Sequence, residues 1–385
     1  MRPAARRLTT LVALLAVSCD CGHAPPQLGA DGAYHIHPGD SIQRALEQAG
    51  ADSVHKTVKV HPGTYRPSRP GQALIWFNAR HDGIVLEALG DVVLTAANPE
   101  LADPDAASFP AVVNHVVYFG DGISRHTVLR GFKITGANNF VTRADDPVDI
   151  QPNAPDVEWE KGLFFYADGG GIKIFGRSYP TIDGVEVYDN YASPCGGGVS
   201  IEHRGFSDES VLLKNSIFRA NRCQITGAAV DVLHRSAAII QNCLFVGNIA
   251  NTGVDYVGRQ GGLEYNKEHG SGALTVFPGS RVHVDRCTFT GNWNGADDKS
   301  LSTYTNTIFW MNTAGGGIAP GRRYELDIPV GHRVSGCFFN GEIADLRNSI
   351  DRDINTFDAP DPHFDDRYSP LAPEYAGVGY RPLQR

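Results

Sequence analysis

Phe218-Arg-Ala-Asn221, Phe245-Val-Gly-Asn248, Phe289-Thr-Gly-Asn292 and Phe309-Trp-Met-Asn312 are copies of one phrase, and Val187-Tyr-Asp-Asn190 is a looser version. Each follows an aliphatic strand. The next strands open at Gly170-Gly171-Ile172, Gly197-Gly198-Val199, Ala228-Ala229-Val230 and Gly272-Ala273-Leu274. The asparagines step by 31, 27, 44 and 20 residues. A self-similar period of ~20–50 residues marks a solenoid, in which each unit buries its apolar side only against its neighbours. One short coil with insertions of varying length accounts for the steps.

Two strands per coil are expected. The first is Ile172-Lys173-Ile174, Val199-Ser200-Ile201, Val230-Asp231-Val232 and Leu274-Thr275-Val276. Its period-two alternation predicts a half-buried strand whose middle residue points to solvent. The second is Ile239–Phe245, matched by Val282–Phe289. Two-residue hairpin turns are missing between like strands, so parallel stacking at ~4.8 Å is expected. It would line up Asn190, Asn221, Asn248, Asn292 and Asn312 as an amide ladder, because a buried amide needs partners. Ser216, Cys243, Cys287, Thr307 and Cys337 fall in a second column of small side chains.

This phrasing resembles the right-handed parallel β-helix of the pectate lyase superfamily and is similar to the repeats of chlamydial polymorphic membrane proteins. Gly39-Asp40-Ser41-Ile42-Gln43, followed by Val58-Lys59-Val60-His61-Pro62-Gly63-Thr64-Tyr65, resembles the superfamily's opening coil. The fold expected is all-β, a right-handed parallel β-helix over 36–345. A short capping helix through Gln48 would start at an N-cap of Ser41 or Asp40, and 346–385 would form an irregular closing tail. The resemblance implies a polysaccharide ligand but no single activity, since such folds host lyases, epimerases and inert surface proteins.

Residues 1–18 read as a secretory signal: Arg2, Arg6 and Arg7 precede the short apolar run Leu11–Val17. Ala16-Val17-Ser18-Cys19 resembles a bacterial lipobox, which would make Cys19 the lipidated residue of a 19–35 linker. The expected location is exported and membrane-anchored, periplasmic or at the cell surface. Removing the signal takes the formal charge of −9 to −12. So acidic a chain is a poor partner for nucleic acid. The 43 glycines suit a turn-rich β protein. None of the seven cysteines sits at metal-ligand spacing. Cys195 and Cys223 lie in adjacent turns, where export would permit a disulfide.

Chemistry is expected on the outward column Lys173, Ser200, Asp231 and Thr275, where the superfamily's enzymes place their substrate groove. Insertions at 139–168 and 249–270 flank it and bring Trp159, Tyr166 and Tyr256, flat faces suited to sugar rings. Glu202-His203-Arg204 and His234-Arg235 follow the strands. β-Elimination of a uronate needs a base and a cation for the enolate. His203, His234 or Lys173 could be the base, and Arg204 and Arg235 the cations. The competing reading is a repeated bend whose His and Arg bond to backbone and water. Asp145, Asp146 and Asp149 offer oxygens for the calcium that many lyases of the superfamily use; no other cofactor is indicated. Signature motifs of polygalacturonases and mannuronan epimerases are absent, so no catalytic residue carries over. Two readings stand: a lyase- or epimerase-like enzyme, and a non-catalytic scaffold, glycan-binding protein or adhesin.

Overall fold

The computed structural model describes residues 26–138, 168–193, 195–250, 272–300, 302–312, 324–328, 333–340 and 350–383. Cys19, Asp145, Asp146, Asp149, Trp159, Tyr166 and Tyr256 lie outside them.

The chain winds as a parallel β-helix. Among the described residues its strands form sheets of eleven, nine and eight strands. Successive coils stack like on like, so that Ser200 pairs with Lys173 on one side and with Asp231 on the other. Phe245 likewise lies between Phe218 and Phe289. Each coil has three strands where two were expected. The run 239–245 is broken at Asn242, with Ala237–Gln241 in the eleven-stranded sheet and Leu244–Val246 in the nine-stranded one. The break is a left-handed bend: Asn215, Asn242, Arg286 and Asn306 have φ of 54°, 51°, 50° and 49°. Asparagine tolerates that conformation better than most residues, because its short amide bonds locally.

Inside the next corner, between the nine- and eight-stranded sheets, the asparagine ladder is complete. The Nδ2 of each amide donates to the Oδ1 of the next: Asn190 to Asn221 (3.1 Å), Asn221 to Asn248 (3.1 Å), Asn248 to Asn292 (2.9 Å) and Asn292 to Asn312 (2.8 Å). Backbone joins at every rung. Asn248 Oδ1 also accepts from Asn221 N, and its Nδ2 also donates to Phe218 O. The last amide, Asn312, donates to the buried carboxylate of Glu325. Beside the ladder the rings of Phe218, Phe245, Phe289, Phe309 and Phe339 stack at centroid spacings of 5.0, 4.2, 4.9 and 5.2 Å. The small column is polar in function as well. Cys243 N donates to Cys287 Sγ and Cys287 N to Thr307 Oγ1.

Both ends of the stack are tied down. Gln27–Leu28 pairs antiparallel with Ala33–Ile36, so strand pairing already begins within the expected linker. The helix α1 spans Ile42–Ala51, somewhat longer than expected, and its N-cap Ser41 accepts from Arg44 N. Gln43 on α1 bonds both Trp76 N and Trp76 O, as a neighbouring strand would. Trp76 lies in the end strand of the eight-stranded sheet, and its edge is thereby covered. At the other end the C-terminal segment turns back along the bend. Gly379 N donates to Asn306 O, Tyr380 N to Thr288 Oγ1, and Arg381 exchanges two bonds with Asn242.

Removing one rung should leave buried groups on both sides unpaired. Asn248→Ala is expected to lower the unfolding free energy by roughly 1–3 kcal/mol, read from urea denaturation. An unchanged midpoint would show that the ladder carries no stability.

Candidate functional site

The middle residues of the eight-stranded sheet line up across the coils as Trp76, Tyr118, Lys173, Ser200, Asp231, Thr275, Asp297 and Asp327. The column was expected to face solvent. Instead Lys173, Ser200 and Asp231 are fully buried and Thr275 is 3% exposed. The turn that precedes each strand doubles back across its outer side. A Cβ on Gly196 would stand 2.9 Å from Ser200 Cβ, and one on Gly227 2.5 Å from Asp231 Cβ. Those turns need φ of 65° and 64°, which glycine alone adopts freely. The signal was present in the glycine runs at 169–171 and 196–198, which open the strands more tightly than a plain turn requires.

Polar groups within this covered layer are paired unevenly. Lys173 Nζ donates to Glu202 Oε2 (2.7 Å) and to Ser200 Oγ (3.2 Å), and Arg204 adds a bond to Glu202 Oε1 (3.2 Å). Thr275 Oγ1 accepts from Gly227 N. Asp168 uses one oxygen to accept from Cys195 N (3.1 Å), and Asp231 uses one to accept from Thr226 Oγ1 (3.4 Å). The second oxygen of each is buried without a hydrogen-bond partner among the described residues. Burial pushes the Asp168 carboxyl up to about 8, against the pull of Lys173. It holds Asp231 far above the usual carboxylate range, with Asp168 adding repulsion. Further along, Asp297 is pushed up to about 7 by burial, opposed by Lys299, which bridges it to Asp327. Cys195 and Cys223 are buried thiols and form no disulfide.

The His-Arg bends resolve differently. His203 is fully buried. Its Nδ1 accepts from Ala237 N (3.2 Å) and its Nε2 faces Ser178 O (3.0 Å), so neither ring nitrogen is free to take a substrate proton. Burial lowers its pKa to about 4. His234, Arg204 and Arg235 are exposed at the surface. Arg177 is turned to Asp121 in a two-pronged pair instead of joining the other arginines. Only the bends' solvent-facing members match the expected clamp.

An open cleft of about 580 Å³ lies at the N-terminal end of the same sheet. Asp40, Arg44, Arg66, Arg69, Gln72 and Trp76 line it. Arg66 and Arg69 are exposed, and Trp76 is half-buried. Sequence reading passed over Arg66, Arg69 and Trp76, because the two arginines sit in a Pro-rich turn without any repeat to mark them. No family model matches the chain, and no curated protein is significantly similar to it.

His203 gives a pH prediction. Its folded pKa lies below the unfolded value of ~6.5, so the unfolded chain binds the extra proton. The neutral buried ring therefore supports the fold fully above pH 6.5, and that support is lost as pH falls towards 4. The raised carboxyls Asp168 and Asp297 act in the opposite sense, so the test is a comparison. His203→Asn is expected to be less stable at pH 7.5 but to lose less on acidification to pH 5, by on the order of 2 kcal/mol. Parallel urea midpoints for both proteins would refute the assignment.

Proposed function

We propose that this protein binds an anionic polysaccharide in the cleft formed by α1 and the first strand of the eight-stranded sheet. One observation carries this reading: Trp76 and three arginines, Arg44, Arg66 and Arg69, line one concave site. An indole face suits a sugar ring, and guanidinium forks suit its carboxylates or sulfates. The overall charge of −9 makes the clustering more telling, since these cations stand against the average of the chain. A second depression, between Arg125, His126, Asp208 and Glu209, is mixed in sign and has no flat aromatic wall. The resemblance to the pectate lyase superfamily supports a sugar polymer as the ligand.

Binding is favoured over bond cleavage. Of the residues first considered for catalysis, Lys173, Asp231 and His203 are buried and bonded within the fold, which leaves the exposed His234, Arg204 and Arg235 without the buried partners the clamp required. The carboxyl in the cleft, Asp40, accepts from His37 N (2.8 Å) and so serves the turn that carries it. In an exported chain anchored through Cys19, the cleft would meet polymers outside the cell. Among the described residues no helix is long and apolar enough to cross a membrane.

Two outcomes follow. The double variant Arg66→Ala/Arg69→Ala is expected to bind polygalacturonate or alginate about tenfold more weakly, as loss of charge-assisted bonds predicts. Neutral polymers should be unaffected, and the difference should shrink at high salt. Equal migration of variant and parent in affinity electrophoresis on every acidic polymer would reject the cleft. Separately, Cys19→Ser should move the protein from the membrane to the soluble exported fraction. Unchanged fractionation would reject the lipid anchor.

A further inference from the structure

Three polar atoms of the covered layer come together where the sequence gives no metal motif. A carboxylate oxygen of Asp168, Cys195 Sγ and a carboxylate oxygen of Asp231 all lie within 4.8 Å of one another. Each belongs to a different coil: Asp168 precedes the strand Ile172–Phe175, Cys195 precedes Val199–Glu202, and Asp231 lies within Val230–Val232. All three residues are fully buried. The unpartnered second oxygens of Asp168 and Asp231 supply an independent observation. A buried polar atom without a partner costs about 1–3 kcal/mol, and more when charged. Two carboxylates with such atoms, grouped with one thiol, call for a cation able to take an electron pair from each.

We propose that Asp168, Cys195 and Asp231 form a structural site for a zinc-class divalent metal ion, which clasps three successive coils. Zinc takes thiolate sulfur at ~2.3 Å and carboxylate oxygen at ~2.0–2.2 Å. Its tetrahedral ligand atoms therefore stand roughly 3.3–3.7 Å apart, so side-chain rotations suffice to close the cluster. The donor set selects the ion. A thiolate is a poor ligand for calcium or magnesium, whereas sulfur with carboxylate oxygen suits a borderline cation. The Thr226 hydroxyl, which bonds both Cys195 Sγ (3.1 Å) and Asp231 Oδ1, is placed to orient the first ligands from behind. Lys173 stands nearby but is engaged with Glu202 and Ser200. On binding, the Cys195 thiol and the buried carboxyls of Asp168 and Asp231 give their protons to solvent as metal–sulfur and metal–oxygen bonds form; nothing is oxidised or reduced. The site is distinct from the cleft around Trp76: it is enclosed, and its residues accompany the third, fourth and fifth strands of the sheet counted from that of Trp76.

The test uses the full chain. Because the ligands are buried, metal is supplied during refolding, with cobalt(II) as the probe and zinc as competitor. The wild type is expected to take up one cobalt per chain, with a near-ultraviolet thiolate-to-cobalt band that zinc abolishes. Cys195→Ser should lose the band, and Asp231→Asn should bind at least tenfold more weakly. Cys19→Ser/Cys21→Ser should keep the band, which separates this site from the N-terminal cysteines. A native wild type without the band overturns the proposal, as does a band that survives Cys195→Ser or vanishes in the Cys19/Cys21 variant. Should the variants fail to fold, anomalous diffraction from cobalt-loaded wild-type crystals decides. A peak between Asp168, Cys195 and Asp231 supports the site, and a peak elsewhere or none refutes it.

Discussion

The buried asparagine amides are the constraint on which the rest of the solenoid depends. A coil of this fold cannot satisfy its corner backbone internally, and no water reaches the inside of the bend. Each amide answers that need twice, accepting from the backbone and amide of one coil and donating to the carbonyls of others. Apolar stacking of Phe218, Phe245 and Phe289 is non-directional and would tolerate a slip along the chain. The amides would not, because a slipped coil leaves buried donors without acceptors. Register is therefore set by polar bonds and stabilised by apolar ones. Steps of 20 to 44 residues between rungs are compatible with one register, because the same amide atoms are joined across the longest step and the shortest. Glu325 ends the column with a carboxylate, an acceptor-only group where a further amide would need its own partner.

What could be read from the sequence was whatever repeats in residue type. Asparagine, phenylalanine and the Ser/Cys/Thr position recur at fixed offsets, so their columns, and with them the fold, were legible. The third strand of each coil was not. Its boundary is a left-handed residue that is asparagine at 215, 242 and 306 but arginine at 286, so the signal is conformational and not chemical. The outward face misled for a related reason. Alternation states which side of a strand a residue takes, and says nothing of what lies over that side. Lys173 and Asp231 do point away from the apolar core, into a layer roofed by the glycine turns.

The same limit hid the polar cluster. Asp168 and Cys195 both stand four residues before their strands but differ in type, and Asp231 lies inside its strand, so no repeat of one residue type joins the three. Only stacking does. The cleft at Trp76 was hidden by its position on the opening coil, where α1 has replaced a neighbouring coil and the repeat does not yet apply. Both proposed sites lie where periodicity is broken, and periodicity is the property that made the fold readable.

A stack held only by neighbours would come apart like a zipper, each outermost coil exposing the next. The returning C-terminal segment changes that behaviour. Arg381 bonds to Asn242, 139 residues earlier, and Gly379 and Tyr380 hold coils between. Peeling the last coil therefore requires breaking contacts with coils far inside the stack. The distal end of the solenoid loses its independent melting and behaves as one cooperative block. During synthesis that block stays open until residues 379–381 emerge, so this returning segment acts as a latch that closes on already wound turns.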